Sequence, residues 1–351
     1  IWYLEDKYDL FNLEINGVYP WAAFRMDLYY EIGRKSGIFD KRLGFKISKT
    51  KKIINLFKFI KNAILYNSSY NLKKVDTLVF THPVSKLRNN KQIDIYTYFL
   101  INDFIQDDTS FLEFESPHKG NHVRRKHVYK RYLDNIFIIR NLKNIFVHIK
   151  LSTQTEDTLT RLSIELNEEF DDYFNIKKVL ISNVKKFIPT YNSYLKILQR
   201  TKPKSIYLVI SYGRSELIKA AKDLGIEVIE LQHGTFSRYH LGYSFPKEVN
   251  TQYFPDKFYV WNEYWKNLIN LPIQADKVII FPFQYLEIER KKYNHLKKEK
   301  HSLIIFSQGG ITENILDKII ENITYFQKFN ITFKLHPNEY HMISRYKNLI
   351  Y

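Results

Sequence analysis

The stretch "SIYLVISYGRSELIKAAKDLGIEVIELQHG", residues 205–234, decides the fold class. It opens on a continuous apolar run of strand length, Ser205–Ser211, and ends on a second, Ile226–Leu231. Between them "RSELIKAAKDLG" carries apolar residues at helical spacing and closes on Gly225, a residue that ends helices at little steric cost. Strands apolar throughout, alternating with amphipathic helices, predict a parallel sheet covered on both faces. The second strand then breaks off into Gln232, His233, Gly234 and Thr235, with Arg238 and His240 close behind. An ordinary turn needs neither two histidines nor an arginine.

The alternation continues toward the C-terminus. "KFYVWN" and "KVIIFP" read as strands flanking a helix in "EYWKNLIN". The charged stretch "EIERKKYNHLKKEKH", 287–301, follows, and then the pattern restarts with "SLIIFS", a helix over Asn314–Phe326 and "ITFKL". The expected organisation is an α/β chain with two Rossmann-like domains: 1–290, a basic linker at 291–301, and the start of a second domain at 302–351. A Rossmann-like half needs roughly 100–150 residues, so the second domain is expected to be truncated, the chain as given weakly active and the region beyond residue 300 poorly ordered. The opening on Ile1 rather than Met likewise suggests a missing start.

Toward the N-terminus the pattern is weaker. Residues 1–70 read mainly as helix, Trp2, Leu4, Tyr8, Phe11 and Ile15 falling near a 3.6 period, with Trp21, Phe24, Leu28, Tyr29 and Ile32 resuming it after the Gly17–Pro20 break. Ile53–Leu65 carries lysines at helical spacing and reads as an amphipathic helix. Val75–Phe80 is a short apolar strand, Asn135–Ile149 is expected to hold one or two more, and Asp157–Arg200 is expected to be helical with a break at Pro189.

Composition narrows the classes. With 44% hydrophobic residues and 16% aromatics in 351 residues, the chain has material for more than one core and is not broadly disordered. No window approaches the ~18 apolar residues of a membrane span. The absence of cysteine excludes disulfides, thiolate zinc sites and a cysteine nucleophile. The formal charge of +17 rests on 40 Lys and 14 Arg, a balance that AT-rich codons partly supply. Physically it favours anionic lipid or phosphate-bearing substrates. The aromatics are scattered at core spacing rather than set out as an RNA-binding sheet, so no specific nucleic acid is expected.

Candidate chemistry lies in loops at the carboxyl ends of the expected parallel strands, where open α/β sheets bind ligands. Ser211-Tyr212-Gly213-Arg214 and Gln232-His233-Gly234-Thr235 belong to the first domain, and Ser307-Gln308-Gly309-Gly310 and "KLHPNEY", Lys334–Tyr340, to the second. None is a Walker A or GxGxxG loop. His233 is the candidate general base, since imidazole titrates nearest neutrality; the competing reading is a histidine that only caps a strand. Lys334, His336 and Asn338 suit a phosphate and Glu339 a sugar hydroxyl, with Pro337 rigidifying the turn; an ordinary strand-to-helix turn is the alternative. His82-Pro83 follows a strand in the same way, but nothing around it in the sequence supports a role, and it reads as loop. Asp107-Asp108 and Asp171-Asp172 read as solvated faces, and no His/Asp cluster has metal-ligand spacing, so no metal and no cofactor are expected.

The QHG loop, the aromatic–proline loop Tyr243–Pro246, "FYVWNEYW", the KLHP turn and the N-terminal "YDLFNLEINGVYPWAAFRMDLYYEI" together resemble bacterial capsular and surface polysaccharide glycosyltransferases. Most of the chain shares the likeness, and its sharp motifs lie in 205–340. The resemblance implies a GT-B architecture of two facing Rossmann-like domains, a nucleotide-sugar donor, and a glycan or lipid-linked acceptor. It implies an enzyme of the cytoplasm or of the anionic inner face of the plasma membrane. It places donor phosphates at His336 and the acceptor near His233, with Gly213, Arg214, Gln232, Gly234, Thr235, Arg238 and His240 lining the cleft. Related HG and HP elements occur in the CDP-glycerol glycerophosphotransferases, so transfer of a polyol phosphate is the alternative. They also occur in bacterial sialyltransferases, whose acidic-acidic-glycine motif this chain lacks.

Overall fold

The computed structural model describes residues 1–35, 49–69, 72–83, 85–88, 91–117, 122, 128–170, 174–245, 249, 252–268, 271–307, 311–344 and 346. The chain divides into two compact units, one of Ile1–Tyr29 with Lys46–Glu287, the other of Tyr30–Phe45 with Ile288–Tyr351. The class is α/β, and both units are built on parallel strands.

The larger unit begins with helices α1 (Trp2–Lys7), α2 (Pro20–Lys35, which runs on into the second unit) and α3 (Lys49–Leu65). Strand β1 (Thr77–Phe80) leads to the hairpin β2 (Ser85–Arg88) and β3 (Lys91–Asp94), then α4 (Tyr98–Gln106), β4 (Phe111–Glu115), β5 (Lys130–Tyr132) and α5 (Asp134–Lys143). Two long helices follow, α6 (Thr153–Phe170) and α7 (Ile176–Thr201). The quoted segment supplies β6 (Ser205–Val209), α8 (Ser215–Asp223) and β7 (Glu227–Leu231). After it come β8 (Lys257–Val260), α9 (Glu263–Lys266), β9 (Val278–Ile280) and α10 (Gln284–Tyr293), which enters the basic stretch.

Seven of these strands form one sheet, in the order β5-β4-β1-β6-β7-β8-β9, with every pairing parallel. On one face Leu78, Phe80, Leu112, Ile206, Leu208 and Val228 meet Tyr194, Ile197 and Leu198 of α7 and Leu217, Ala220 and Ala221 of α8. On the other, Val209 and Leu231 pack with Leu100 and Phe104 of α4. Each fully buried Leu, Ile, Val or Phe contributes about 1.5–3 kcal/mol. Both faces are covered, hence the strands' lack of alternation.

Two expectations need correction. Asn135–Ile149 holds no strand among the described residues: α5 continues into a 3-10 turn, Asn144–Phe146. The run "IFII" is too short for its periodicity to distinguish helix from strand, and packing against α3 and α7 decides for helix. The strands that do fill this edge are β4 and β5. All five residues of β4 are buried, including Glu113 and Glu115. Lys130 of β5 spans these two carboxylates at 2.9 and 3.0 Å, and His122 lies 3.1 Å from Glu115 and 2.7 Å from Asp134. Buried charges stand here where apolar residues would have announced a strand. Second, Pro189 does not break α7. An interior proline costs about 3 kcal/mol, but this helix buries Leu180, Val184, Phe187, Ile197 and Leu198 along its length. That burial outweighs the lost bond.

The second unit contains β10 (Ser302–Phe306), α11 (Thr312–Glu321), α12 (Ile323–Phe326) and β11 (Asn330–Lys334). The two strands pair in parallel across the helical crossover. Burial alternates along both, with Leu303, Ile305, Ile331 and Phe333 on the more covered face. A 3-10 turn, Pro337–Met342, follows β11.

Candidate active site

The carboxyl edge of the seven-stranded sheet gathers titratable and aromatic side chains from four strand ends. At the end of β6, Ile210 sits at φ +76°, a left-handed conformation that costs a β-branched residue of order 1–3 kcal/mol. The chain then turns through Ser211 and Tyr212 to Gly213 at φ +87°, where glycine avoids the same strain. Arg214 stands at the N-cap position of α8 without a side-chain capping bond, its guanidinium over the ring of Phe80, 5.5 Å from the centroid.

His233 stands two residues past the end of β7 and is half-buried. Its Nε2 lies 3.4 Å from the Tyr212 hydroxyl and its Nδ1 3.4 Å from the Tyr243 hydroxyl. Tyr243 is buried, and its hydroxyl donates to Oε1 of Glu230, one residue before the end of the strand. The other oxygen of Glu230 is buried without a hydrogen bond. Burial pushes the Glu230 carboxyl up to about 7, against the stabilising polar groups of Tyr243, Ser211 and Ile210 that face it. Burial, with His240 adding to it, pulls His233 down to about 4. At neutral pH His233 is therefore an uncharged imidazole, with a carboxyl near half-ionisation one tyrosine away. With the Nδ1–H tautomer, donation runs from His233 to Tyr243 to Glu230, which leaves the Nε2 lone pair as an acceptor beside the Tyr212 hydroxyl.

His240 is brought to the same cluster, its ring 5.3 Å from Tyr212 and 4.9 Å from Tyr243. Its Nδ1 accepts from the Gly242 N–H at 3.2 Å, and burial lowers its pKa. Gly242 is required by close approach: a Cβ there would lie 2.6 Å from Tyr212 Cδ1. Gln232 is a clamp between strand ends. Its amide donates to the Gly234 carbonyl and accepts from the Trp261 N–H, each at 2.9 Å. Thr235 and Arg238 are exposed, and Arg238 engages its neighbour Tyr239 at 2.7 Å instead of His233.

His82 lies in a loop, as its sequence context suggests, but the fold brings that loop to His233. His82 follows β1 as His233 follows β7, and their rings stack with centroids 6.1 Å apart. Its N–H donates to Asp94 at 2.8 Å, and its ring sits edge-on to Tyr96. Tyr96, Phe283 and Trp261 form a stacked aromatic wall beside Gln232, with centroid separations of 5.4 and 4.8 Å. The available signals were positional: a histidine just past a parallel strand, and a lone glutamate near the end of an apolar one.

Arg25 was also missed. Its buried guanidinium holds Glu5 at 2.5 and 2.8 Å and donates to the carbonyls of Leu241 (2.5 Å) and Ser244 (2.8 Å). Trp21 donates to the same glutamate at 2.8 Å. Helix α2 thereby clamps the loop that carries Tyr243.

In the second unit, Ser307 and His336 stand at the ends of β10 and β11. The Ser307 hydroxyl donates to Glu339 at 2.6 Å and accepts the His336 N–H at 2.7 Å. Glu339 is buried and also accepts from Tyr346 at 3.1 Å. Burial opposes its charge, but the bonds from Ser307, Thr312 and Tyr346 prevail and its pKa is lowered. Its acceptor capacity thus serves the turn itself. Lys334 and the His336 ring are exposed, with Lys334 5.8 Å from the Tyr340 ring centroid. Gln308, Gly309 and Gly310 lie outside the described residues, as do the side chains of Pro337 and Asn338. Among the described residues no group of three or more His, Asp or Glu side chains is arranged to hold a metal. A cavity of about 480 Å³ in the larger unit lies away from the strand ends, between α5 and α7.

No protein-family model matches the chain, and no curated protein matches it. Among solved structures it is similar to the UDP-N-acetylglucosamine 2-epimerase of Rickettsia bellii, at 16% identity and a TM-score of 0.39, over 80% of this chain and 67% of that one. It is similar also to the UDP-GlcNAc 2-epimerase of Methanocaldococcus jannaschii, at 14% identity and a TM-score of 0.38, over 79% and 68%.

Proposed function

We propose that this chain belongs to a glycosyltransferase that moves a sugar from a nucleotide-sugar donor onto a glycan or lipid-linked acceptor of the bacterial surface. The observation that carries the reading is the His233–Tyr243–Glu230 array at the carboxyl edge of a parallel sheet, beside a strained turn. Neutral at physiological pH, His233 takes the proton of an acceptor hydroxyl on Nε2. The freed oxygen bonds to the anomeric carbon of the donor, and the bond from that carbon to the nucleotide phosphate breaks with its electron pair leaving on the phosphate. Through Tyr243, Glu230 stabilises the imidazolium that forms, and so offsets the low basicity of a buried histidine. The 3.4 Å contacts are long for hydrogen bonds, and such catalytic bonds commonly shorten once substrate is bound.

For the second unit by itself, the reading assigns Lys334 and His336 to the phosphates of the donor, since donors aimed at charge are a strong catalytic device. The Tyr96–Phe283–Trp261 wall offers apolar faces for the acceptor sugar.

The test is a panel of nucleotide sugars and CDP-polyols incubated with wild type and His233→Ala, with products identified by mass. A sugar transferred by wild type, with a loss of about 10²-fold or more per folded molecule in the variant, is expected for a lost general base. Transfer at the wild-type rate by His233→Ala would remove His233 from the mechanism. Turnover of a CDP-polyol alone would replace glycosyl transfer with polyol-phosphate transfer.

A further inference from the structure

We propose that helix α3 is a docking element for an anionic lipid bilayer, independently of the reaction assigned above. The helix turns its apolar stripe outward. Ile53, Phe57, Ile60 and Ile64 recur at the spacing of one helical face, and they are 55%, 70%, 39% and 57% exposed. The residues it turns inward are Asn55, Phe59, Asn62 and the buried Ala63, a less apolar set than the stripe left to solvent. This inverts the usual orientation of an amphipathic surface helix, which buries its stripe against the core. Leu56 and Leu65 extend the exposed area.

Charge identifies the occupant. Across "KTKKIINLFKFIKNAIL" there are five lysines and no acidic residue. Helix α5 packs on α3, and the segment "NLKNIFVHIK", 141–150, at and beyond its C-terminal end repeats the pattern, with exposed Ile145 and Phe146, two lysines and no acid. A second copy of the chain would bring cations against cations. A bilayer with acidic headgroups supplies both an apolar layer for the stripe and counter-charge for the lysines, each Lys near such a surface being favoured by about 1 kcal/mol. No described helix is long and apolar enough to cross a membrane. The helix therefore lies in the interface, its stripe inserted at the depth of the acyl chains' upper segments.

The experiment is co-sedimentation of the whole chain with vesicles of phosphatidylcholine alone and of phosphatidylcholine mixed about 7:3 with phosphatidylglycerol, over a salt series. Wild type is expected to bind the anionic vesicles and to release as salt rises. Phe57→Ser/Ile60→Ser keeps every charge and removes two inserted side chains, and is expected to weaken binding by about tenfold or more. Lys58→Gln/Lys61→Gln should flatten the salt dependence. Because the stripe faces solvent, thermal melts of the variants should match wild type; Ile53→Ser gives a milder second variant for the same comparison. Three results overturn the proposal: no binding to anionic vesicles at low salt, equal binding by the serine variants, or a wild-type dimer in solution that Phe57→Ser/Ile60→Ser dissociates.

Discussion

Tyr243→Phe isolates the link between Glu230 and His233, because it removes one oxygen and preserves the ring that packs on Phe236 and Phe258. The hydroxyl donates to a carboxylate whose other oxygen has no hydrogen bond, so its loss falls directly on Glu230. A hydrogen bond to a charged group contributes about 1.5–3 kcal/mol, and one between neutral groups about 0.5–1.5. Glu230 titrates near 7 in the fold. Above that pH the lost bond is to a carboxylate, and below it to a neutral acid. The destabilisation measured by urea unfolding should therefore be about 1–1.5 kcal/mol larger near pH 8 than near pH 5.5. At pH 8 the variant relieves part of this cost by protonating Glu230, each unit of further upward shift being worth about 1.4 kcal/mol. Catalysis should fall about ten- to hundredfold, the same bond expressed in the rate. A destabilisation that is flat across pH would refute the reasoning, because Glu230 would then not be ionising against Tyr243.

Glu230→Gln tests the same carboxyl by linkage. Its folded pKa near 7 lies above the ordinary 4.5, so the native state holds the extra proton between those values and wild-type stability falls as pH rises through that window. The amide removes this loss, and the stability of the variant relative to wild type should improve from pH 4 to pH 8; a constant difference would contradict the assignment. Arg25→Ala leaves the buried Glu5 without its counter-charge, held only by Trp21, and should cost about 3–5 kcal/mol, with Glu5→Gln added to it restoring part; a shift under about 1 kcal/mol in the denaturation midpoint analysis would show that the clamp contributes little. His336→Ala should weaken binding of a nucleoside diphosphate by about ten- to hundredfold in calorimetry, the size of one charge-assisted contact; an unchanged Kd excludes His336 from the phosphate site.

The sequence by itself determined the β6–α8–β7 unit, because every signal there is local. A strand buried on both faces must be apolar throughout, a covering helix must be apolar on one side, and both patterns fit within thirty residues of chain. The position of His233 at the end of β7 followed from the same pattern. Tertiary structure alone decided what surrounds that histidine. Arg25 reaches carbonyls 216 and 219 residues away, and His82 meets His233 from the other side of helices α4 to α8 in the chain. The edge strands β4 and β5 are held partly by Lys130 between Glu113 and Glu115. Likewise the lysine-flanked stripe of α3 was visible as amphipathic, but which side it turns to solvent was not. Periodicity reports where apolar groups can be hidden. It is silent on buried polar groups, whose cost is met only by partners that the folded chain brings to them.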